Sequence, residues 1–240
     1  MTATQSPPPE STAERFSDVI RTATFADHET AARSEFMTAL FEERLPVAAY
    51  ASMVAQHYFA YEVLEDAGDA MADHPVVGPF VVESLRRLPS IEADLVSLLG
   101  ADWRSRVVES EATRRYCERM AEVCFTDPER FVAHHYTRYM GDLSGGQMIG
   151  RLARRVYELE PGAGAAFYEF PDIDDFGAFK DSYRLKLDAA PWTEPERDRL
   201  LDEIALSYRL NTEVFTDLDR ELGLGPATST EAATGNGAGS

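Results

Sequence analysis

Glycines and one acid are concentrated in a single short stretch, YMGDLSGGQMIG, which covers residues 139–150. Gly141 and Gly145 are four residues apart and so share one face of a helix, where each glycine costs about 1 kcal/mol relative to alanine. A face this bare either packs tightly against another helix or lets a flat ligand lie against the backbone. A phosphate cradle fits poorly, because no strand precedes the glycines and no GK[ST] sequence follows them.

Asp142 lies among these glycines and favours the ligand interpretation. A carboxyl group is costly to bury unless it is hydrogen-bonded or functional. The alternative is an ordinary surface ion pair with Arg138, four residues earlier, which would contribute little stability. The residues alone leave both interpretations open.

The elements that must position these residues are helices. Ala, Leu, Glu and Arg recur at helical spacing, and Val, Ile and Thr form no long alternating run, which favours an all-α class. Capping residues, prolines and glycines predict a single domain of about eight helices over residues 12–223. The nine helical stretches behind this approximate number are expected near residues 11–28, 31–41, 46–71, 81–88, 91–99, 111–125, 127–159, 176–188 and 193–221, and the glycines are expected to interrupt the stretch over 127–159.

Caps define the ends of several of these helices. Ser11 and Glu14 form a possible capping box for the first helix, and Thr193 with Glu196 opens the last, which Gly223 ends. Outside the domain, residues 1–11 are rich in Pro, Ser and Thr and residues 224–240 have low complexity, so both ends are expected to be disordered.

Charge and hydropathy exclude several classes of protein. The chain has 42 acidic and 23 basic residues, a net charge of -19, and so lacks the excess of cations that a nucleic-acid binder needs. No run of about 20 apolar residues could span a membrane, and the N-terminus lacks the regions of a signal peptide. Cys117 and Cys124 are expected to be buried free thiols. A soluble cytoplasmic protein without a membrane partner is therefore predicted.

The stretch HHYTRYMGDLSGGQMIGRLARR, residues 134–155, resembles the distal-helix motif of the haem oxygenases, whose signature is GDLSGGQ. The resemblance extends over roughly residues 13–222. It implies an all-α fold in which haem is held between a proximal N-terminal helix and a glycine-kinked distal helix. The implied reaction is the oxidative cleavage of haem to biliverdin, carbon monoxide and ferrous iron with dioxygen and electrons, so that haem is both cofactor and substrate.

The resemblance places the axial ligand of the haem iron at His28, in TFADHETAARSEFM. By itself, a histidine at a predicted helix end is more often a cap or a surface residue. Ala31 and Ala32 follow one turn later and are small enough to let a porphyrin approach. The family often carries an acid at the position of Ala32, so a backbone carbonyl or water is expected to hold the second imidazole nitrogen here.

A set of groups for the two haem propionates is also implied. In FKDSYRLKL, Lys180 and Arg184 lie at i and i+4 on one helix face and match the propionate-binding helix of the family. Tyr136 matches the propionate-bonding tyrosine, and Arg21 stands where the family commonly has a lysine. An ordinary solvated face is the alternative, and it fits Lys186 equally well. If the match holds, the propionates fix the ring for cleavage at the α-meso carbon.

The resemblance further implies a distal hydrogen-bond network, linked through ordered water to bound dioxygen, whose side chains are Tyr61, Arg138, Asp142 and Asn211. Tyr61 and Asn211 would otherwise be ordinary helix-face residues. The bare backbone that approaches the iron is formed by Gly141, Gly145 and Gly146. Asp142 is expected to act at one remove, by ordering the waters that deliver protons. Gly150 has no specific role in this interpretation.

Electrons must come from a partner, because the sequence carries no flavin or nicotinamide fingerprint. A ferredoxin or an NAD(P)H-dependent reductase is the expected donor. Two basic clusters offer a docking surface, although ordinary solvated helix faces explain them equally well: Arg114, Arg115 and Arg119, and Arg151, Arg154 and Arg155.

Two other functions are compatible with parts of this pattern. A non-catalytic haem storage or delivery protein would share His28 and the propionate cations but would not need Asp142. A helical bundle with tight glycine packing would bind no haem at all. Of the remaining histidines, His57 and His74 have no supporting neighbours, and His134 and His135 are expected at the surface or packed behind the site.

Overall fold

Residues 14–223 are the part of the chain described by the computed structural model. Within this range the regular structure is entirely helical, which confirms the all-α class. The α-helices are α1 Phe16–Ala23, α2 Phe25–Ala32, α3 Glu35–Phe41, α4 Val47–Ala70, α5 Leu88–Leu99, α6 Glu111–Val123, α7 Pro128–His135, α8 Gln147–Val156, α9 Phe176–Ala189 and α10 Glu194–Leu222. Ser11 of the predicted capping box and both predicted disordered ends lie outside the described residues.

Helices α7 and α8 are the two ends of one continuous helical segment, residues 128–156, which we call the distal helix. Two π-helical segments, Tyr136–Met140 and Asp142–Gly146, join them. The expected interruption at the glycines therefore takes the form of wider helical turns rather than a break in the helix. π-helical turns inside α-helices are frequent at functional sites.

The region before α4 differs from the prediction. The first predicted helix is divided at Thr24, whose hydroxyl donates to the carbonyl of Ile20 at 2.8 Å. Ser34 caps α3 by accepting a hydrogen bond from the backbone N–H of Met37 at 3.3 Å, so this helix begins later than expected. As a consequence His28 lies within α2 and not at a helix end.

The helix predicted over residues 81–88 is wrong. Two short 3₁₀ turns, Gly78–Phe80 and Glu83–Leu85, occupy this region. The buried carboxylate of Glu65 accepts hydrogen bonds from the backbone N–H groups of Arg87 and Leu88. These bonds satisfy donors at the first turn of α5, which therefore starts at Leu88, earlier than the sequence indicated.

Helix α10 connects the two sides of the domain. It packs against α2 and α3, from the N-terminal part of the chain. It also packs against α6, α7 and the first π-helical segment. Its start has the predicted capping box of Thr193 and Glu196, and Gly223 ends it in the left-handed conformation with φ of 65°. The proximal and distal helices are thus held by a common element.

A buried ionic cluster fixes α10 to α6 and α7. Glu203 of α10 accepts hydrogen bonds from Arg119 Nη2 at 2.7 Å and from His134 Nε2 at 3.0 Å. Burial alone would raise the pKa of Glu203, but the hydrogen bonds from His134 and Arg119 outweigh it and lower the pKa to about 2. The ionised carboxylate therefore stabilises the fold at neutral pH.

Replacing Glu203 is expected to destabilise the domain. Glu203→Gln leaves Arg119 with only the exposed carboxylate of Glu122 and takes the charged partner from His134, and it should lower the free energy of unfolding at pH 7 by about 3 kcal/mol. Because the folded-state pKa lies below the unfolded value of 4.5, this contribution is present above pH 4.5 and disappears as the pH falls towards 2. Urea unfolding followed by circular dichroism at pH 7 and at pH 3 measures it.

The matched control is Glu118→Gln, which removes an exposed carboxylate that pairs with Arg114. It should change the free energy of unfolding by about 0.5 kcal/mol or less. An equally small effect of Glu203→Gln at pH 7 would contradict the role of the buried cluster.

Candidate functional site

A cleft of about 290 Å³ lies between α2, the distal helix and α10. Predicted site residues that line it are His28, Arg138, Gly141, Asp142, Gly145, Gly146 and Asn211. They are joined by Ala31, Ala32, His57, Thr137, Tyr168, Tyr208 and the apolar side chains Met37, Phe41, Met148, Ile149 and Phe215. The structure thus brings the predicted iron ligand and the glycine segment to the walls of one cleft, as the resemblance implied.

The four glycines of the distal helix serve two different purposes. A Cβ atom added at Gly141 or Gly145 would meet no atom within 4 Å, so these two positions present bare backbone to open space. A Cβ at Gly146 would lie 3.1 Å from Tyr168 Cδ1, and one at Gly150 would lie 2.6 Å from Tyr168 Cβ. Gly141 and Gly145 therefore leave room in the cleft, whereas Gly146 and Gly150 allow close packing. This gives Gly150 the role that the sequence did not reveal.

His28 projects from α2, and its side chain is 55% exposed. Its ring meets that of Tyr208 edge-on, with 5.8 Å between the centroids. The carboxylate nearest to its Nδ1 is that of Glu29, at 3.9 Å, while Ala32 is exposed. An accessible imidazole at the wall of an otherwise mainly apolar cleft is suited to ligate a metal centre that enters from solvent.

The side chain of Asp142 is held by a hydrogen bond from a residue of α4. The hydroxyl of Tyr61, a fully buried residue, donates a hydrogen bond to Asp142 Oδ2. Burial raises the pKa of Asp142 to about 6, although the bond from Tyr61 and the charge of Arg138 offset part of the rise. The carboxyl group can therefore exist in either protonation state near neutral pH.

Arg138 is buried and does not form the surface ion pair with Asp142 that the sequence left open. Its guanidinium lies over the ring of Tyr116 at 4.9 Å and over that of Tyr61 at 5.6 Å. Its Nη1 is 3.4 Å from His57 Nδ1. Among residues 14–223 the guanidinium pairs with no carboxylate, so the surface-pair alternative is wrong.

Three buried polar atoms at this cleft have no hydrogen-bond partner within the described part of the chain: Arg138 Nε, Tyr168 Oη and Asn211 Oδ1. Buried polar atoms are normally satisfied by protein, ligand or ordered water. Together with the bare backbone at Gly141 and Gly145 and the accessible imidazole of His28, they fit a haem whose distal side carries polar ligands and water.

The predicted propionate groups lie beside the cleft and do not line it. Burial raises the pKa of Tyr136, and the charges of Arg184 and Arg21 partly oppose this rise, which places both cations near the phenol. Lys180 donates from α9 to Ser144 Oγ at 3.2 Å. Arg184 pairs with Asp181 at 2.7 Å. Arg21, Tyr136, Lys180 and Arg184 are together called the polar edge of the cleft.

One expectation about the histidines is corrected, and another is narrowed to one of its two alternatives. His57 lines the cleft, is only 8% exposed and packs its ring on Phe167, so it does have supporting neighbours. Its position four residues before Tyr61 places it on the same face of α4, a signal that could have been used. His134 and His135, at the end of α7 in the distal helix, are buried, which agrees with the second of the two expected placements and excludes the surface; His135 Nδ1 is 2.9 Å from the hydroxyl of Tyr183.

Most arginines of the two basic clusters are neutralised by acids of the same chain. Arg114 pairs with Glu118, Arg115 with Glu111 and Glu213, Arg119 with Glu203, Arg154 with Glu169, and Arg155 with Glu43. This pairing weakens both clusters as docking surfaces for an acidic partner. In the described range, no helix is long and apolar enough to cross a membrane.

Comparison with known families agrees with this geometry. The family model described as "Heme oxygenase" matches residues 14–217. The chain is 36% identical to heme oxygenase 1 of Nostoc sp. over 203 residues, which is 85% of each chain. It is also 36% identical to a heme oxygenase of Takifugu rubripes over 207 residues, 86% of this chain and 75% of the relative.

Solved structures give the same result. Heme oxygenase-1 of Synechocystis sp. PCC6803, in complex with heme, superposes with a TM-score of 0.81 at 33% identity, covering 88% of this chain and 97% of the other. Heme oxygenase-2 of the same organism, in complex with heme and NO, gives a TM-score of 0.83 at 28% identity and covers 88% of each chain. The chain therefore belongs to the haem oxygenase family and is a haem-degrading enzyme.

The two pairs of glycines should respond differently to alanine. Gly141→Ala places a methyl group in the cleft, so it should leave the fold as stable, or up to about 1 kcal/mol more stable, because alanine favours a helix. Its affinity for haem should fall roughly tenfold or more, since the methyl group obstructs the approach of the ring. Urea unfolding and titration of the Soret band with haemin measure the two effects.

Gly150→Ala is the contrasting variant. Its methyl group would overlap Tyr168, so it should destabilise the fold by about 1–3 kcal/mol. If Gly141→Ala bound haemin as the parent protein does, the assignment of bare backbone to the cleft would be wrong.

Proposed function

We propose that haem binds in this cleft with His28 as the axial ligand of its iron, and that the chain cleaves it to biliverdin, carbon monoxide and ferrous iron. The observation that carries the proposal is the bare backbone of Gly141 and Gly145 beside Asp142, in the same cleft as an accessible histidine. When bound, haem supplies the redox-active iron that activates dioxygen and the carbon framework that is oxidised.

The protein supplies position and a suitable axial ligand. His28 is neutral when it ligates, and imidazole lacks the strong electron donation by which a thiolate promotes cleavage of the O–O bond. Gly141 and Gly145 have no side chains to hold the macrocycle away from the distal helix, so the helix backbone limits the space above it. That restriction favours reaction at the edge of the ring.

Asp142 is proposed to order the waters that deliver protons to the site. Its pKa of about 6 lies close to physiological pH, where a carboxyl group transfers protons efficiently in both directions. Tyr61 restrains the carboxyl group through its hydrogen bond. The unpartnered atoms of Arg138 and Asn211 supply further sites for the waters of the same network.

The rotation of the ring in the cleft depends on the polar edge formed by Arg21, Tyr136, Lys180 and Arg184. Arginine binds a carboxylate with two hydrogen bonds, and lysine adds a mobile charge, so this edge suits the two propionates. Holding both propionates would fix one meso carbon in place. We propose cleavage at the α-meso position on this basis.

The electron donor and the compartment complete the proposal. A ferredoxin or an NAD(P)H-dependent reductase supplies the electrons. Cys117 and Cys124 are buried free thiols, which suits the reducing cytoplasm. The bond between Tyr61 and Asp142 disfavours haem storage or delivery as the function, because a storage site has no need of a restrained acid.

Removal of the axial ligand tests the binding mode. His28→Ala should abolish the absorption spectrum of histidine-ligated haem and the formation of biliverdin, because no other imidazole is equally accessible at this wall. His74→Ala is the control; His74 lies in a turn and accepts from the backbone N–H of Val76 at 3.3 Å. A parent-like haem spectrum in His28→Ala would assign the ligand elsewhere.

Removal of the acid tests the chemistry separately from binding. Asp142→Ala should bind haemin with nearly the parent affinity, form biliverdin at least about 100-fold more slowly, and gain peroxidase activity. The control Asp102→Ala removes an exposed carboxylate that is not part of the cleft lining and should behave as the parent. Biliverdin absorbance under single turnover is the readout; an unchanged yield in Asp142→Ala contradicts the proposed proton role.

A further inference from the structure

Arg138 is a buried cation that forms no ion pair with any described residue. Its side chain is 8% exposed, two aromatic rings cover it, and it pairs with no carboxylate in the described range. Buried charges are normally compensated by an opposite charge or by several hydrogen bonds. The side-chain nitrogen that can accept a hydrogen bond from the guanidinium is His57 Nδ1, which lies 3.4 Å from Arg138 Nη1.

This contact determines the form of His57. A guanidinium can only donate hydrogen bonds, so Nδ1 of His57 must accept and its proton must lie on Nε2. Burial, followed by the charge of Arg138, lowers the pKa of His57 to about 3, so the ring stays neutral throughout the physiological range. The described residues offer Nε2–H no partner, and the residue lines the cleft.

Arg138 has an obvious competing partner. Asp142 follows it by four residues on the same helix, within reach of a long side chain. An arginine next to an aspartate lowers the pKa of the acid by about 1–3 units. In the structure the guanidinium instead lies towards α4, and Asp142 is bonded to Tyr61.

We propose that His57 is a positioning residue, which holds the Arg138 guanidinium on the α4 side and away from Asp142. Asp142 consequently keeps Tyr61 as its hydrogen-bond partner and remains able to exchange a proton near neutral pH. His57 acts through Arg138, and among residues 14–223 it bonds to no other charged group. The assignment bears on the proton role proposed for Asp142, but its test needs no haem.

The groups that act on Asp142 come from several elements. Tyr61 belongs to α4, Arg138 to the distal helix, and Arg87 precedes α5. Tyr168, from the segment before α9, and Tyr139, from the distal helix, also lie close to the carboxylate. Of these groups only Arg138 is bonded to His57, so replacing His57 should alter the titration of Asp142 through Arg138 alone.

The experiment follows the titration of Asp142 in the full chain before haem is added. Aspartate labelled with ¹³C at the carboxyl carbon is observed by NMR, and the Asp142 signal is assigned by its loss in Asp142→Asn. His57→Leu and His57→Met replace the imidazole with apolar side chains of different shape, so the acceptor for Arg138 is lost. Both variants should lower the titration midpoint of Asp142 by about one pH unit or more. His57→Asn keeps an acceptor close to the position of Nδ1 and should restore the parent midpoint.

Repeating the substitution in an Arg138→Met variant separates an effect that acts through Arg138 from a direct effect of His57 on Asp142. With Arg138→Met, His57→Leu should leave the Asp142 midpoint where Arg138→Met alone sets it. Unchanged midpoints in both His57→Leu and His57→Met with Arg138 present would overturn the proposal, as would an equal shift in the Arg138→Met background. Because the apoprotein is measured, either result leaves the assignment of His28 and the cleavage of haem to be judged by their own tests.

Discussion

The hydrogen bond from Tyr61 to Asp142 is the interaction on which the proposed site depends. It joins α4 to the distal helix at the start of the second π-helical segment, and it fixes a carboxyl group at the wall of the cleft. Burial alone would make that group costly, but a phenol donor and the nearby charge of Arg138 keep its ionised form accessible. The distal helix can then carry an acid without placing a side chain in the space beside Gly141 and Gly145.

A second constraint is that the distal helix must be bare on one side and tightly packed on the other. Tyr168 meets this need, since its ring lies against Gly146 and Gly150 while its hydroxyl, at the cleft, bonds to none of the residues that the structure describes. The segment that carries Tyr168 is itself held by Asp94, which accepts hydrogen bonds from the backbone N–H groups of Ala166 and Phe167 at 2.8 Å. Packing behind the helix therefore supports the open face in front of it.

Sequence patterns predicted correctly the features that depend on residues close together in the chain. The caps at Thr193 and Gly223 and the all-α class follow from residue type and spacing, whereas the placement of Arg138, Asp142 and Asn211 at one cleft was implied by the family resemblance. The early start of α5 and the placement of the Arg138 guanidinium depend on partners distant in the chain, Glu65 for α5 and His57 for the guanidinium. Spacing along a helix gives no information on which of two reachable partners a side chain selects.

The structure of the full chain crystallised with ferric haem tests the central claim most directly. The account predicts that His28 ligates the iron, that the backbone of Gly141 and Gly145 lies against the opposite face of the ring, and that Asp142 stays bonded to Tyr61, with ordered water between its carboxyl group and the distal ligand. A different axial residue, or a carboxylate of Asp142 in direct contact with the iron or its distal ligand, would contradict it.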